Sequence, residues 1–158
     1  MIINGKALLK AAPIKGMLTE KCKDHGVSHG LTEAGYDIRI KQDISFGPSF
    51  LFIDQTFHEG SFVIASSIEE FEMPPDLIGQ VCDKSSWARQ GLSVFNTVIE
   101  PGWRGFLTLE LVYYGQKRLH IPAGSGIAQV LFSEVIHPTA YEGKYQDQDD
   151  RPVAAIRS

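Results

Sequence analysis

The chain has 158 residues, 43% of them hydrophobic and 22% charged, with a net charge of −4, which suits one globular domain that buries its own core. The acidic balance argues against a clamp on a nucleic-acid backbone and leaves room for a local basic pocket that takes a small anion. With two cysteines, no signal-like start and no apolar run of the ~18 residues a membrane span needs, a reducing cytoplasm is the expected setting.

Asn4 is placed to cap a short helix reaching about Ala11, with Ile2, Leu8 and Leu9 on its apolar side and Pro13 as its stop. Residues 15–31 hold two histidines and several glycines without a clear period, and read as a strand-poor connection. In AGYDIRIKQDISF, Tyr36, Ile38 and Ile40 alternate with Asp37, Arg39 and Lys41, the pattern of a half-buried strand. Gly47-Pro48 turns the chain into SFLFIDQTF, His58-Glu59-Gly60 turns it into SFVIASSIEEFEM, and Pro74-Pro75-Asp76 breaks it again. LIGQVCD, LSVFNTVIE, FLTLELVYY, RLHIPAG and GIAQVLFSEVI follow as short strands bounded by Gly, Pro or Asp. Many short strands with turn signals roughly every ten residues predict an all-β sandwich, jelly roll or barrel, with a second helical turn at SSWARQG. The last stretch, YEGKYQDQDDRPVAAIRS, is polar and aperiodic, the composition usual for a disordered tail. No internal repeat or domain boundary interrupts residues 1–158.

The candidate chemistry gathers between Val81 and Leu111. Lys84, Ser85, Ser86 and Arg89 lie between a strand and a glycine. That run suits an anion site made of backbone N–H groups, hydroxyls and two cations, or else a capped and solvated turn. Glu100 precedes Pro-Gly, in a turn that can aim a side chain into a cleft. In Leu107-Thr108-Leu109-Glu110-Leu111, alternation puts Thr108 and Glu110 on the face opposite the leucines. That face is either plain solvent or the wall of a site, and a carboxylate amid apolar neighbours would have the raised pKa of a proton shuttle. The histidines do not cluster, and the H-x-E and P-C-x-x-C pair of zinc deaminases is absent. Phosphate-loop and dinucleotide fingerprints are absent too.

Five segments in order, AGYDIRI (34–40), DKSSWARQGL (83–92), TVIEPGWRGFLTLEL (97–111), GSGIAQVLF (124–132) and GKYQDQ (143–148), together resemble the dCTP deaminase family of the trimeric dUTPase-like superfamily. The resemblance implies a distorted jelly-roll (β-clip) fold with a short N-terminal helix, assembled as a homotrimer with sites between subunits. It implies deamination of dCTP to dUTP and ammonia, with Glu110 as the catalytic acid and base and no metal or zinc activating the water. By the same resemblance, Lys84, Ser85, Ser86, Trp87, Ala88 and Arg89 form the triphosphate-binding segment, and Glu100 bonds the deoxyribose 3′-hydroxyl. Thr108 and Leu109 line the base pocket through their backbone, and Gln129 contacts the nucleotide. Tyr141, Lys144 and Gln148 belong to a C-terminal segment, 141–158, that closes over it. Magnesium is expected only as a partner of the triphosphate, and a thymidine nucleotide as an inhibitor.

The family usually has aspartate where this chain has Glu100, and the loop from Arg89 to Glu100 is two residues shorter than in well-known bacterial members. The neighbouring readings are a dUTP diphosphatase, a bifunctional enzyme that performs both steps, and a non-catalytic nucleotide-binding regulator on the same fold. The dUTPase branch lacks a glutamate at the Glu110 position and ends in a glycine-rich motif, so Glu110 and the GKYQDQ ending favour the deaminase.

Overall fold

The computed structural model describes residues 1–47 and 61–157. The expected strand at SFLFIDQTF lies outside the described residues. As the turn spacing predicts, the chain is mostly β. After a two-residue strand β1 (Ile2–Ile3) and helix α1 (Gly5–Ala11) come β2 (Lys21–Asp24), β3 (Val27–Leu31), β4 (Tyr36–Arg39) and β5 (Ile44–Phe46). Then follow β6 (Ser61–Glu72), β7 (Leu77–Asp83), the one-turn helix α2 (Ser85–Ala88), β8 (Leu92–Val94) and β9 (Val98–Ile99). The series ends with β10 (Arg104–Tyr113), β11 (Leu119–Ile121) and β12 (Gly126–Glu134).

The largest sheet has the order β2-β3-β4-β12-β7-β9, with β1 added to β12 at Phe132 and Ser133. A second sheet has the order β6-β10-β8, and β5 pairs with β11. Alternation places the core between them. Tyr36, Ile38, Val81, Val130 and Phe132 face inward from the first sheet, and Ala65, Leu109 and Leu111 from the second.

The N-terminus departs from expectation in two details. Ile2 belongs to a strand and is 47% exposed, so it does not serve the helix's apolar side. The helix turns off at Ala12, whose left-handed backbone (φ 47°) lets its N–H reach the Leu8 carbonyl at 2.9 Å, before Pro13 is met. Asn4 occupies the N-cap, but its amide side chain bonds Glu33 O (2.7 Å) and not the helix.

The connection expected over 15–31 is in fact a β-hairpin. His25 (φ 51°) and Gly26 (φ 80°) both adopt positive φ between β2 and β3, the signature of a two-residue type I′ turn. LSVFNTVIE divides into β8, paired with β10, and β9, paired with β7, so one apolar run serves both sheets.

Between Phe106 and Thr108 the β6–β10 register shifts, because β6 bulges at 67–69. The Ser67 hydroxyl takes the Leu107 N–H that the broken ladder leaves over (3.0 Å). Beyond the bulge, β10 runs straight through the residues that matter most.

Candidate active site

Along β10, Leu107, Leu109 and Leu111 are buried in the core while Thr108 and Glu110 face the other way, as alternation predicts. Glu110 pairs across the sheet with Ile64, and Val112 with Phe62, so the carboxylate stands on an apolar strip. A cleft of about 490 Å³ opens over that strip. Its walls bring together Glu110, Thr108 and Glu100 with Trp103, Val98 and Phe62, and the tail closes it with Tyr141, Tyr145, Gln148 and residues 153–155.

Glu100 reaches the rim because of its turn. Trp103 N–H bonds the Glu100 carbonyl (3.1 Å), with Pro101 and a Gly102 at φ 74° between them, the combination of a type II turn. Trp103 is buried against Phe71 at a ring separation of 6.2 Å.

Glu110 is half-buried, and its Oε2 is sealed from solvent without a hydrogen-bond partner among the described residues. Burial pushes its carboxyl above the ordinary 4.5, partly offset by its own backbone N–H. A buried carboxylate oxygen without a partner among the described residues, on a side chain that lines an apolar cleft, is costly in a resting fold. It suits a group whose partner arrives with the substrate and which must both take and give a proton near neutrality.

The polar tail is folded against β10, contrary to what its composition suggests. Trp103 Nε1 donates to Tyr145 O (2.6 Å), Arg104 N–H to Gln146 Oε1 (2.7 Å) and Phe106 N–H to Gln148 O (3.2 Å). Arg104 also pairs with Asp147 at 2.9 Å, and Gln146 Nε2 bonds Gly102 O and Tyr141 O. Gly105 (φ 130°) makes room, since a Cβ there would lie 2.5 Å from Gln148 N. Lys144 does not line the cleft. It is exposed, donates to Ile156 O and sits 5.4 Å from the Tyr145 ring centre.

The Lys84–Arg89 run and Gln129 are absent from this cleft's walls. Ser85, Ser86, Ala88 and Arg89 are exposed on α2, while Trp87 is buried and donates from Nε1 to Gly126 O (2.7 Å). Gln129 Nε2 bonds Thr32 Oγ1 (3.0 Å). The Lys84 charge, expected to add to an anion site, is instead turned inward and ion-paired with Asp37. Leu109's side chain is in the core, which leaves only its backbone for a pocket. Sequence reasoning passed over several wall residues, among them Phe62, Val98 and Tyr145, because isolated apolar and aromatic residues carry no signal of their own. Asp37 was assigned to solvent by alternation, yet it is buried, and only a three-dimensional contact identifies its partner. Among the described residues, no three His, Cys, Asp or Glu side chains converge as a metal cage.

The fold is that of dUTPases. The Staphylococcus bacteriophage 80alpha dUTPase superposes with a TM-score of 0.57, covering 85% of this chain and 97% of that one at 14% identity. The EIAV dUTPase gives 0.52, covering 85% and 95% at 20% identity. Within that fold, residues 53–135 match the family described as dCTP deaminase-like. A dCTP deaminase of Acidobacterium capsulatum is 31% identical over 94% of this chain and 96% of its own. One from Herpetosiphon aurantiacus is 36% identical over 77% and 79%. The chain belongs to the dCTP deaminase family.

Proposed function

We propose that this protein converts dCTP and water to dUTP and ammonia, acting in the cytoplasm as a single domain whose segment 141–158 closes over the bound nucleotide. The observation that carries the reading is Glu110, a carboxylate lining an apolar cleft, with one oxygen sealed and, among the described residues, unpartnered, and with a raised proton affinity. Glu110 takes a proton from a water that adds to C4 of cytosine and passes it to N3. It then takes the remaining hydroxyl proton and hands it to the departing amine. C4–N breaks, C4=O forms, and the carboxylate returns to its starting state. Thr108 and the Leu109 backbone hold the base beside it, Glu100 on its turn meets the sugar 3′-hydroxyl, and Tyr141 and Gln148 cover the nucleotide. Exclusion of bulk water strengthens each of these contacts.

The triphosphate falls to Ser85, Ser86 and Arg89, together with Gln129 and Lys144. The cleft and the α2 turn do not meet within one chain, and this separation supports a homotrimer in which neighbouring copies complete each site. Magnesium, which a dUTPase of phage phi11 binds as a structural ion, would accompany the triphosphate as a charge partner, leaving activation of the water to Glu110.

Incubation of the protein with dCTP, dUTP and dCMP plus magnesium, with separation of products, tests the reading. Ammonia and dUTP from dCTP are expected. dUMP and pyrophosphate in addition make the enzyme bifunctional. Untouched dCTP with hydrolysed dUTP overturns the deaminase, and binding without turnover of any of the three makes it a regulator.

A further inference from the structure

Lys84 opens the Ser85–Arg89 turn, yet its side chain points into the fold. It is 8% exposed, Nζ is ion-paired with Asp37 Oδ2, and it also donates to Ser28 Oγ at 2.9 Å. Asp37 is 3% exposed, and the same Oδ2 accepts from the Ser28 hydroxyl at 2.9 Å. We infer that Lys84 and Asp37 form a buried positioning pair that fixes how Ser85, Ser86 and Arg89 meet the substrate's phosphates, and that Lys84 is not itself a phosphate ligand. The inference rests on the nucleotide reading above.

Two features support it. First, the turn is held from three sides, by one exposed and two buried side chains. The Asp83 carboxylate accepts the Val94 N–H (2.7 Å) and the Ser93 hydroxyl, fixing the turn to β8. Lys84 fixes it to β3 and β4 through Ser28 and Asp37, and Trp87 fixes it to β12 through Gly126 O. Lys84 also closes the turn with its backbone, since its carbonyl accepts the N–H groups of Trp87 and Ala88, both at 3.0 Å. What remains outward is Ser85, Ser86, Ala88 and Arg89, and of these the two hydroxyls and the guanidinium can bond a phosphate.

Second, an ammonium that swung out to a phosphate would abandon the Asp37 carboxylate in the interior with, among the described residues, a single side-chain hydroxyl for company. Breaking a buried pair leaves an uncompensated charge, and the loss is large even where the intact pair adds little to stability. The arrangement favours a pair that stays closed through the catalytic cycle.

The test uses Glu110→Gln protein, so that dCTP binds without turnover, and adds Asp37→Asn, Lys84→Met, both together, or Lys84→Arg. Asp37→Asn and Lys84→Met should each weaken dCTP about tenfold, and the double variant should be no worse than the weaker single, the sign of one coupled unit. Lys84→Arg, which keeps the charge, should recover most of the affinity, and thermal melts identify any variant that has not folded. If Asp37→Asn tightens dCTP while Lys84→Met weakens it, Lys84 is a direct ligand and the inference is overturned. Unchanged affinity in Lys84→Met overturns it as well.

A second measurement needs no nucleotide affinity. Trace acetylation followed by peptide mass spectrometry should find Lys84 reacting far more slowly than the exposed Lys10 and Lys117, with and without dCTP. Asp37→Asn should abolish that protection. Equal labelling of Lys84 in the wild type overturns the pair. Failure of Glu110→Gln protein to bind dCTP counts against the deaminase reading, and the labelling still decides the pair.

Discussion

Thr108 Oγ1 accepts the backbone N–H of Val153 at 2.9 Å, and so ties the floor of the cleft to the chain's last stretch. The same hydroxyl donates to Gln148 Oε1 at 3.3 Å. Thr108 stands two residues from Glu110 on the same face, so the group that latches the tail and the group proposed to move protons share one strand. Thr108→Val keeps the shape and removes both bonds. A net loss of about 1 kcal/mol corresponds to roughly a fivefold rise in KM for dCTP. Hydrogen exchange at the Val153 amide should accelerate in the same variant. An unchanged Val153 exchange rate would show that Thr108 does not hold the tail.

Glu110→Gln should abolish deamination while dCTP still binds; retained turnover would remove Glu110 from its role. The variant also has a signature in stability. Glu110's folded pKa lies above its unfolded value, so the folded chain binds the extra proton between the two. Stability then declines as pH rises through that window and is recovered below it. Because Glu110→Gln removes this liability, its melting temperature should gain on wild type more at about pH 8 than at about pH 4. For the same reason, the acid limb of wild-type kcat/KM, which reports the free enzyme, should lie above the ordinary carboxylate range.

Two truncations separate closure from stability. Ending the chain after Tyr141 removes the acceptors of Trp103 Nε1, Arg104 N–H and Phe106 N–H. At about 1 kcal/mol per bond, the loss of roughly 3 kcal/mol should lower Tm by about 6–12 °C, and nucleotide binding should weaken markedly. Ending it after Asp149 keeps those three bonds and removes Val153, so Tm should fall much less while nucleotide affinity falls. Equal melting of the two would mean that residues 142–149 do not anchor the tail.

Gly105→Ala tests the crossing of tail and strand. Alanine at φ 130° is strained, and its Cβ would press on Gln148 N at 2.5 Å. A destabilisation of about 1–3 kcal/mol is expected, with the 145–148 amides losing exchange protection together. A Tm within one degree of wild type would show that the tail can pass elsewhere.

The sequence made some of this architecture readable and hid the rest for definite reasons. Glu110 was legible because strict alternation around it left one orientation. Glu100 was legible because Pro-Gly names its turn. The β2–β3 hairpin was hidden because its first turn position is a histidine and not the Asn, Asp or Gly that marks a type I′ turn in sequence. Asp37 and Lys84 each obey a local rule that points them at solvent, and each breaks it because the other is there. The tail's polarity suggested disorder because the partners of its carbonyls and carboxamides are an indole and backbone groups some 40 residues away, which composition cannot register.

The chain's two tryptophans are divided between the two halves of the proposed site. One indole sits behind the α2 turn with its N–H on Gly126, and the other forms part of the cleft wall with its N–H on the tail. With excitation beyond the tyrosine band, emission from the protein is therefore a sum of two local signals. In a Trp87→Phe chain only the cleft would glow, and arrival or departure of the tail at Trp103 could be timed in a stopped-flow fluorimeter with no attached dye.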